Sequence, residues 1–427
     1  MTPDPTDATD PKGPVDPVDP VDPVDPVDPT GPGGGSAPGP GHFGHGLEPA
    51  ALVATIRRLA RPRLTGSEGA HEVEVELRER FRELGYDVRE LGFSFSTLPG
   101  RYGLPAAGLV LVAVAAASGW ALLDGRPGLA TSVLSAGLVA AALPLLFLDA
   151  ALRLPWGRAE TANLLFTRGT PRWIIMAHRD SKSQGVPTAV RTVALAMALA
   201  GWVVLAVTAV ATLAGTSVAT GWVWLGTGTL LPAAVVLILS VTGNASPGAL
   251  DNATGLAAAL ALAARVPAGV AFLVTDGEEL GLAGARAVAG RLPEVAGIIN
   301  LDGLDDAGTL RIAEGRARGR RTAAALATAL LETARGRGEK AVRRPLPPFV
   351  MVDHEPLARA GLPALTVLRG GWRSLLRVHR SADTANRLTG AGAVAAASVV
   401  LATLTTLDGG AGDTLRRHDG SGHSPPP

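Results

Sequence analysis

The chain has 427 residues and a formal net charge of +1, long enough for one large domain or two ordinary ones and without the basic excess that a nucleic-acid partner requires. It has no cysteine, which excludes disulfides, thiolate metal sites and a cysteine nucleophile, so any metal must be held by His, Asp or Glu. The basic residues are nearly all arginine; Lys12, Lys182 and Lys340 are the only lysines.

Residues 1–46 include PVDPVDPVDPVDP and GPGGGSAPGPGHFGHG. Proline removes backbone donors and almost nothing apolar is available to bury, so this arm is expected to be a disordered, solvated spacer. It has no basic stretch followed by an apolar one and does not read as a secretory signal. From Leu47, LEPAALVATIRRLA and SEGAHEVEVELRERFRELGY carry apolar residues at helical spacing, with Ser67 as an N-cap. YDVRELGFSFS, starting at Tyr86, alternates like a strand. ANLLFTR, RWIIMAH, GVAFLVT, AGIINLD and PALTVLR are short, apolar and separated by helical stretches, which predicts an α/β domain with a mixed, largely parallel central sheet flanked by helices.

Two apolar insertions break this pattern. Tyr102–Leu123 and Pro127–Leu148 are each uncharged for 22 residues, with Asp124 and Arg126 in the turn between them. Thr192–Leu250 is uncharged for 59 positions, with Gly215, Thr216 and Ser217 near its middle. About 20 uncharged residues match the roughly 30 Å hydrocarbon thickness of a bilayer, so four transmembrane helices in two hairpins are expected. The apolar helix at Gly390–Leu407 is rich in Ala, Ser and Thr and is expected to be a core helix of the α/β domain. The predicted organisation is an arm at 1–46, parts of the α/β domain at 47–100, 151–186 and 246–410, hairpins at 101–150 and 187–245, and a disordered tail at 411–427. A hairpin returns the chain to the side it left, so all three parts share one face of the membrane. Arg101, Arg153, Arg158, Lys182 and Arg191 flank the spans on that face against Arg126 alone in the turns, which predicts a multi-pass protein of the cell membrane with a cytoplasmic domain.

Five elements carry candidate chemistry: His178 with Asp180 in AHRDS, Asp251 in GALDNATG, Glu278 and Glu279 in DGEELGLAGAR, Asp302 in INLDG, and His379 in VHRSADT. Each alone is weak, since a lone Asp after a strand is commonly a helix cap and paired glutamates usually decorate a surface. Together, four of the five directly follow an apolar strand or open a helix, where open α/β sheets bind ligands. Imidazoles and carboxylates suit Zn²⁺, and a two-oxygen carboxylate can bridge two ions; Co²⁺ and Mn²⁺ would also be accepted by such donors. Water activated by such a pair needs a carboxylate outside the ligand set to take its proton, and adjacent glutamates can divide the two tasks. Asp180 can accept the second imidazole N–H of His178 and fix its tautomer.

With these motifs, and with PRLTGSEGAHEVEVELRERFRELGY at the start of the domain, the chain resembles the M28-family zinc peptidases, aminopeptidases and relatives with a phosphorylase/hydrolase-like α/β fold. The resemblance implies two zinc ions: His178 and Asp302 on one, Glu279 and His379 on the other, Asp251 bridging, Glu278 as general base and Asp180 behind His178. Asn252 continues the family's Asp-Asn pair, and Asp383 with Thr384 its His-x-x-x-Asp-Thr ending. Gly284-Ala285 and Asp302-Gly303 depart from the common Gly-Ser and Asp-Met without removing a ligand. The second hairpin replaces the short loop between the His-x-Asp strand and the Asp-Asn helix, which places the membrane near the site rim. The implied activity is that of an aminopeptidase-like exopeptidase acting on peptides or protein termini. A glutaminyl-cyclase-like acyltransferase with one zinc and a non-catalytic peptidase-fold scaffold are the alternatives. His354, in VDHEPLARAGLPAL, either lines the site or caps a helix; His42, His45, His418 and His423 lie in low-complexity tails. The two tyrosines, Tyr86 and Tyr102, lie away from the motifs, which leaves oxyanion stabilisation to the metals.

Overall fold

A computed structural model describes residues 47–315, 322–346 and 350–419; the arm at 1–46 lies outside them, as does 420–427 of the tail expected at 411–427, whose first part, 411–419, is helical instead. Apolar residues at helical spacing form α1 (Pro49–Leu59), which buries Leu52, Ile56 and Leu59, and α2 (Glu68–Glu83), which buries Val73, Leu77 and Phe81. Ser67 caps α2, its hydroxyl accepting from the Ala70 N–H at 3.3 Å. Next come β1 (Asp87–Ser96), the first insertion with α3 (Leu98–Leu123) and α4 (Pro127–Leu146), one turn α5 (Leu148–Ala151), β2 (Arg158–Thr167) and β3 (Trp173–His178). The second insertion is bracketed by β4 (Ser183–Gln184) and β5 (Thr242–Gly243) and contains α6 (Thr188–Leu213) and α7 (Gly221–Ile238). The remainder is α8 (Thr254–Ala263), β6 (Val270–Thr275), α9 (Ala283–Val288), β7 (Gly297–Leu304), β8 (Thr309–Glu314), α10 (Thr322–Gly336), β9 (Ala341–Arg343), α11 (His354–Ala360), β10 (Ala364–Gly370), α12 (Trp372–Arg377) and α13 (Ala391–Asp419).

Eight strands make one sheet in the order β1-β2-β6-β3-β7-β10-β8-β9. The four central strands, β6, β3, β7 and β10, are mutually parallel, while β1, β2 and β8 join antiparallel and β9 pairs parallel with β8. This is the mixed, largely parallel sheet expected from the sequence. Side-chain alternation along β3 distributes it between two cores: Trp173, Ile175 and Ala177 pack with α1, α8 and α13, whereas Ile174 and Met176 pack with Val288 of α9 and Leu357 of α11. Fully buried central strands explain why RWIIMAH and GVAFLVT read as unbroken apolar runs rather than alternating ones.

Within the insertions, α3, α4, α6 and α7 pack on one another around Leu134, Leu205, Leu230 and Ala233. Close approach of α6 and α7 requires Gly201, where a Cβ would lie 2.8 Å from the Gly226 carbonyl oxygen and 2.8 Å from the Leu230 nitrogen. Outward, the bundle exposes large apolar groups, among them Leu109, Leu199, Val207, Val210 and Trp224, the reverse of a water-facing helix surface. Four described helical stretches are long and apolar enough to cross a membrane: Leu98–Leu123, Thr188–Leu213, Gly221–Ile238 and Ala391–Asp408. The last belongs to α13, whose Ala396, Val399, Val400 and Leu404 lie in the core of the α/β domain beside α1 and α8, the position expected for it from composition. In α4 the described apolar stretch runs over Pro127–Ala141.

Candidate metal centre and active site

Three parallel strands end side by side and deliver the first donors. His178 is the last residue of β3, which pairs in parallel with β6 and β7; Glu278 and Glu279 follow β6, and Asp302 lies in β7. Asp251 sits in the turn Ala249–Ala253 ahead of α8, with non-helical φ −118° and ψ 90° across a cis Asp251–Asn252 peptide. Its position is fixed from the far end of the chain. Asp383 accepts the Leu250 N–H at 2.9 Å through Oδ1 and the Asp251 N–H at 3.2 Å through Oδ2. Asn252 then ties this turn to β7, donating from Nδ2 to the Leu301 carbonyl at 2.8 Å and accepting the Gly303 N–H at 3.3 Å.

The five expected donors are brought together in two sets sharing one carboxylate. His178, Asp251 and Asp302 form one and Asp251, Glu279 and His379 the other, with ligand atoms in each set within 4.8 Å of one another. Asp251 turns Oδ1 toward His178 Nε2 (3.1 Å) and Oδ2 toward His379 Nε2 (2.9 Å), so each oxygen serves a different histidine. Asp302 Oδ1 lies 3.8 Å from His178 Nε2, and Glu279 Oε2 lies 3.3 Å from His379 Nε2. His178 Nε2 is buried and, despite these neighbours, makes no hydrogen bond. An orphaned imidazole nitrogen at the focus of two carboxylates is what a metal ligand presents, and nitrogen-plus-oxygen donors fit a zinc ion in each set.

Electrostatics separate the two glutamates. Burial and the neighbouring Glu279, Asp302 and Asp353 push Glu278 well above the usual carboxylate range, against the pull of His178. Burial acts on Glu279 in the same sense, but His379 and Lys182 outweigh it and hold its pKa down to about 2. Adjacent carboxyls with pKa values driven apart are the arrangement in which one binds a cation and the other moves protons. Burial would lower both histidines; instead the carboxylates around them raise His379 and raise His178 well above its ordinary value.

Asp180 lies directly behind these groups and does more than face one imidazole. The close acceptor for His178 Nδ1 is the Asp180 main-chain carbonyl at 3.1 Å, with the carboxylate Oδ1 at 3.6 Å. That carboxylate instead accepts the Glu278 N–H at 3.1 Å and the Glu279 N–H at 3.0 Å, one oxygen for each. His354 opens α11 but turns inward: its Nδ1 is 2.6 Å from Thr366 Oγ1 of β10, and it makes no part of either donor set.

Sequence reading missed four contributors. Lys182 Nζ pairs with Glu279 Oε2 at 2.7 Å; its only sequence signal is that lysine is so rare in this chain. Arg63 is fully buried and donates to the carbonyls of Leu59, Arg61, Arg179, Pro247 and Gly248, stitching the first domain part to the loops that carry His178 and Asp251. Asp353, buried beside Thr275 of β6, is pushed up to about 7 by its burial, against His178 and Thr275. Thr188 Oγ1, in the first turn of α6, lies 3.1 Å from His379 Nδ1.

A search of curated protein sequences found no match. The fold is similar to that of a glutaminyl cyclase from Fimbriiglobus ruber, at 17% identity over 86% of this chain and 98% of that one, with a TM-score of 0.50. It is also similar to a Zn-dependent exopeptidase from Parabacteroides distasonis, at 12% identity over 84% and 97% of the two chains with a TM-score of 0.49. An aminopeptidase from Aneurinibacillus sp. strain AM-1 matches at 16% identity over 83% and 93%, with a TM-score of 0.45. At these identities the likeness concerns the fold. The family model for peptidase family M28 matches residues 234–404, the stretch that supplies Asp251, Glu278, Glu279, Asp302 and His379. Over that segment the chain is similar to peptidase family M28.

Proposed function

We propose that the protein is a membrane-anchored zinc exopeptidase of aminopeptidase type. The observation that carries this reading is the pair of complete donor sets sharing Asp251, with Glu278, the neighbour of the ligand-set Glu279, outside both. His178 and Asp302 would hold one ion, Glu279 and His379 the second, and Asp251 would bridge them. Zinc bound there supplies polarisation of the scissile carbonyl and a lowered pKa for the attacking water. Glu278 accepts the proton of that water as the new C–O bond forms, then delivers it to the leaving amine nitrogen as the C–N bond breaks. Asp180 aims both glutamates by gripping their N–H groups.

Anchoring is supported by the apolar outer surface of the α3–α4–α6–α7 bundle. A cytoplasmic catalytic face is supported by Arg101, Arg153, Arg158, Lys182 and Arg191 near the helix ends on the domain side, against Arg126 in the far turn. Both hairpins start beside the donor loops: Gly100 of α3 packs so closely on Leu280 that a Cβ would sit 2.5 Å from the Leu280 Cα. Peptides or protein termini presented at the membrane surface are therefore the proposed substrates.

Zinc content per chain, together with hydrolysis of a panel of aminoacyl anilides, tests the reading. Two zincs and a hydrolysis abolished by Glu278→Gln are expected; no bound zinc would leave only a peptidase-fold scaffold. A single zinc with cyclisation of glutaminyl peptides would replace the peptidase by an acyltransferase.

A further inference from the structure

His379 stands in an awkward place for a ligand. Its backbone has φ +63°, a left-handed conformation unfavourable for an L-residue, and it sits in the loop after α12 rather than at a strand end. What holds that loop is the root of the second apolar hairpin. The Gln184 N–H donates to the His379 carbonyl at 2.8 Å. Arg380 Nη1 donates to the Gly185 carbonyl at 3.0 Å. The imidazole itself is met by Thr188, the first residue of α6, whose Oγ1 lies 3.1 Å from Nδ1.

The direction of that last hydrogen bond follows from a third partner. Arg191 Nη2 lies 3.1 Å from Thr188 Oγ1, and a guanidinium only donates, so the hydroxyl oxygen is already an acceptor there. With Nε2 directed at Asp251 and Glu279, a ligating imidazole has Nε2 bare and must carry its proton on Nδ1. That N–H then needs an acceptor, and the second lone pair of Thr188 Oγ1 provides it. A partner of this kind fixes both the tautomer and the ring plane of a metal-binding histidine.

On this basis we infer that Thr188 is the positioning residue for His379, so that the inserted hairpin is a working part of the second donor set as well as an anchor. The inference rests on the zinc-peptidase reading above. It also explains the insertion point: the helix that enters the bundle begins on the ligand it supports, and displacement of α6 along its axis is transmitted to His379 by side-chain contact.

The test is zinc stoichiometry and affinity of the full chain in detergent, measured by chelator competition, for the wild type, Thr188→Val, Thr188→Ala and Thr188→Ser. Two zincs are expected in the wild type. In the Val and Ala variants one ion is held about 10–100-fold more weakly, the usual effect of losing such a partner, while the other is unchanged. Serine, which keeps the hydroxyl, restores the wild-type pattern. Wild-type affinity for both ions in Val or Ala, an equal weakening of both, or failure of Ser to restore binding overturns the role of Thr188 and leaves the peptidase reading intact. A wild type that binds no zinc overturns the peptidase reading and this inference with it.

Discussion

Asp180→Asn removes one oxygen from a carboxylate that has two buried donors to satisfy. The Glu278 N–H at 3.1 Å and the Glu279 N–H at 3.0 Å each have their own oxygen, and Asp180 is completely buried. Asparagine offers one acceptor and an NH₂, so one backbone N–H must face another donor without water to relieve it. Leaving one such group unsatisfied costs about 1–3 kcal/mol, and the surviving bond also loses its charge assistance. The same substitution loosens the backbone that carries both glutamates, so zinc affinity or turnover should fall roughly 10–100-fold. Thermal unfolding in detergent, chelator competition for zinc and anilide hydrolysis read the three effects together. The loss should appear in kcat more than in KM, since Glu278 acts on the proton and not on substrate binding. An Asn variant that melts, retains zinc and turns over like the wild type would refute the clamp.

Two further outcomes follow from the geometry. Burial lowers His354 from 6.5 to about 4, opposed by the Glu314 backbone; the unfolded chain therefore binds more protons between those values, and stability falls as pH drops through that window. The interval is worth up to ~3 kcal/mol, so acid melting curves of wild type and His354→Gln should converge with falling pH, and a difference that is independent of pH would sink the assignment. Gly201→Val places a branched side chain against the Gly226 carbonyl and the Leu230 nitrogen, an overpacking cost of about 1–3 kcal/mol, visible as a lower unfolding temperature of the detergent-solubilised chain; an unchanged melt would mean that α6 and α7 do not pack this closely.

Much of the fold was legible because it rests on local periodicity. RWIIMAH, GVAFLVT, AGIINLD and PALTVLR became β3, β6, β7 and β10 with small shifts at their ends, since a strand buried on both faces has no alternative but a continuous apolar run. The Ser67 cap was legible for the same reason, a side chain bonding to its own neighbourhood. The donor residues could be picked out because three of them lie at or just past the ends of such strands. What could not be read were bonds between residues far apart in sequence: Arg63 reaching Gly248, Asp383 gripping Asp251, Thr188 meeting His379. The role of Asp180 shows the limit most plainly. Its two-residue offset from His178 pointed to the imidazole, which lies 3.6 Å from its Oδ1, but not to the two N–H groups nearly a hundred positions away that the same carboxylate holds.

How an α/β domain tolerates two long interruptions is explained by where each one starts and stops. β1 and β2 pair antiparallel out to Ser96 opposite Arg158, so the first insertion is the loop of an otherwise ordinary β-hairpin. The second is pinched by a two-residue ribbon, Ser183 opposite Gly243 and Gln184 opposite Thr242, which returns the chain almost to its point of departure before Asp251. The entropic cost of closing a loop grows only as the logarithm of its length, about 0.6 kcal/mol per doubling, and a self-packed bundle largely escapes even that. The two roots are joined, Thr242 Oγ1 donating to the Gly100 carbonyl at 3.0 Å. Helices added at these points leave the strand register of β3, β6 and β7 untouched, yet they emerge where Glu279 and His379 are held. With both insertions rooted at the rim of its donor loops, this fold brings the bundle against the proposed metal centre, and Thr188 is where that contact reaches a proposed ligand.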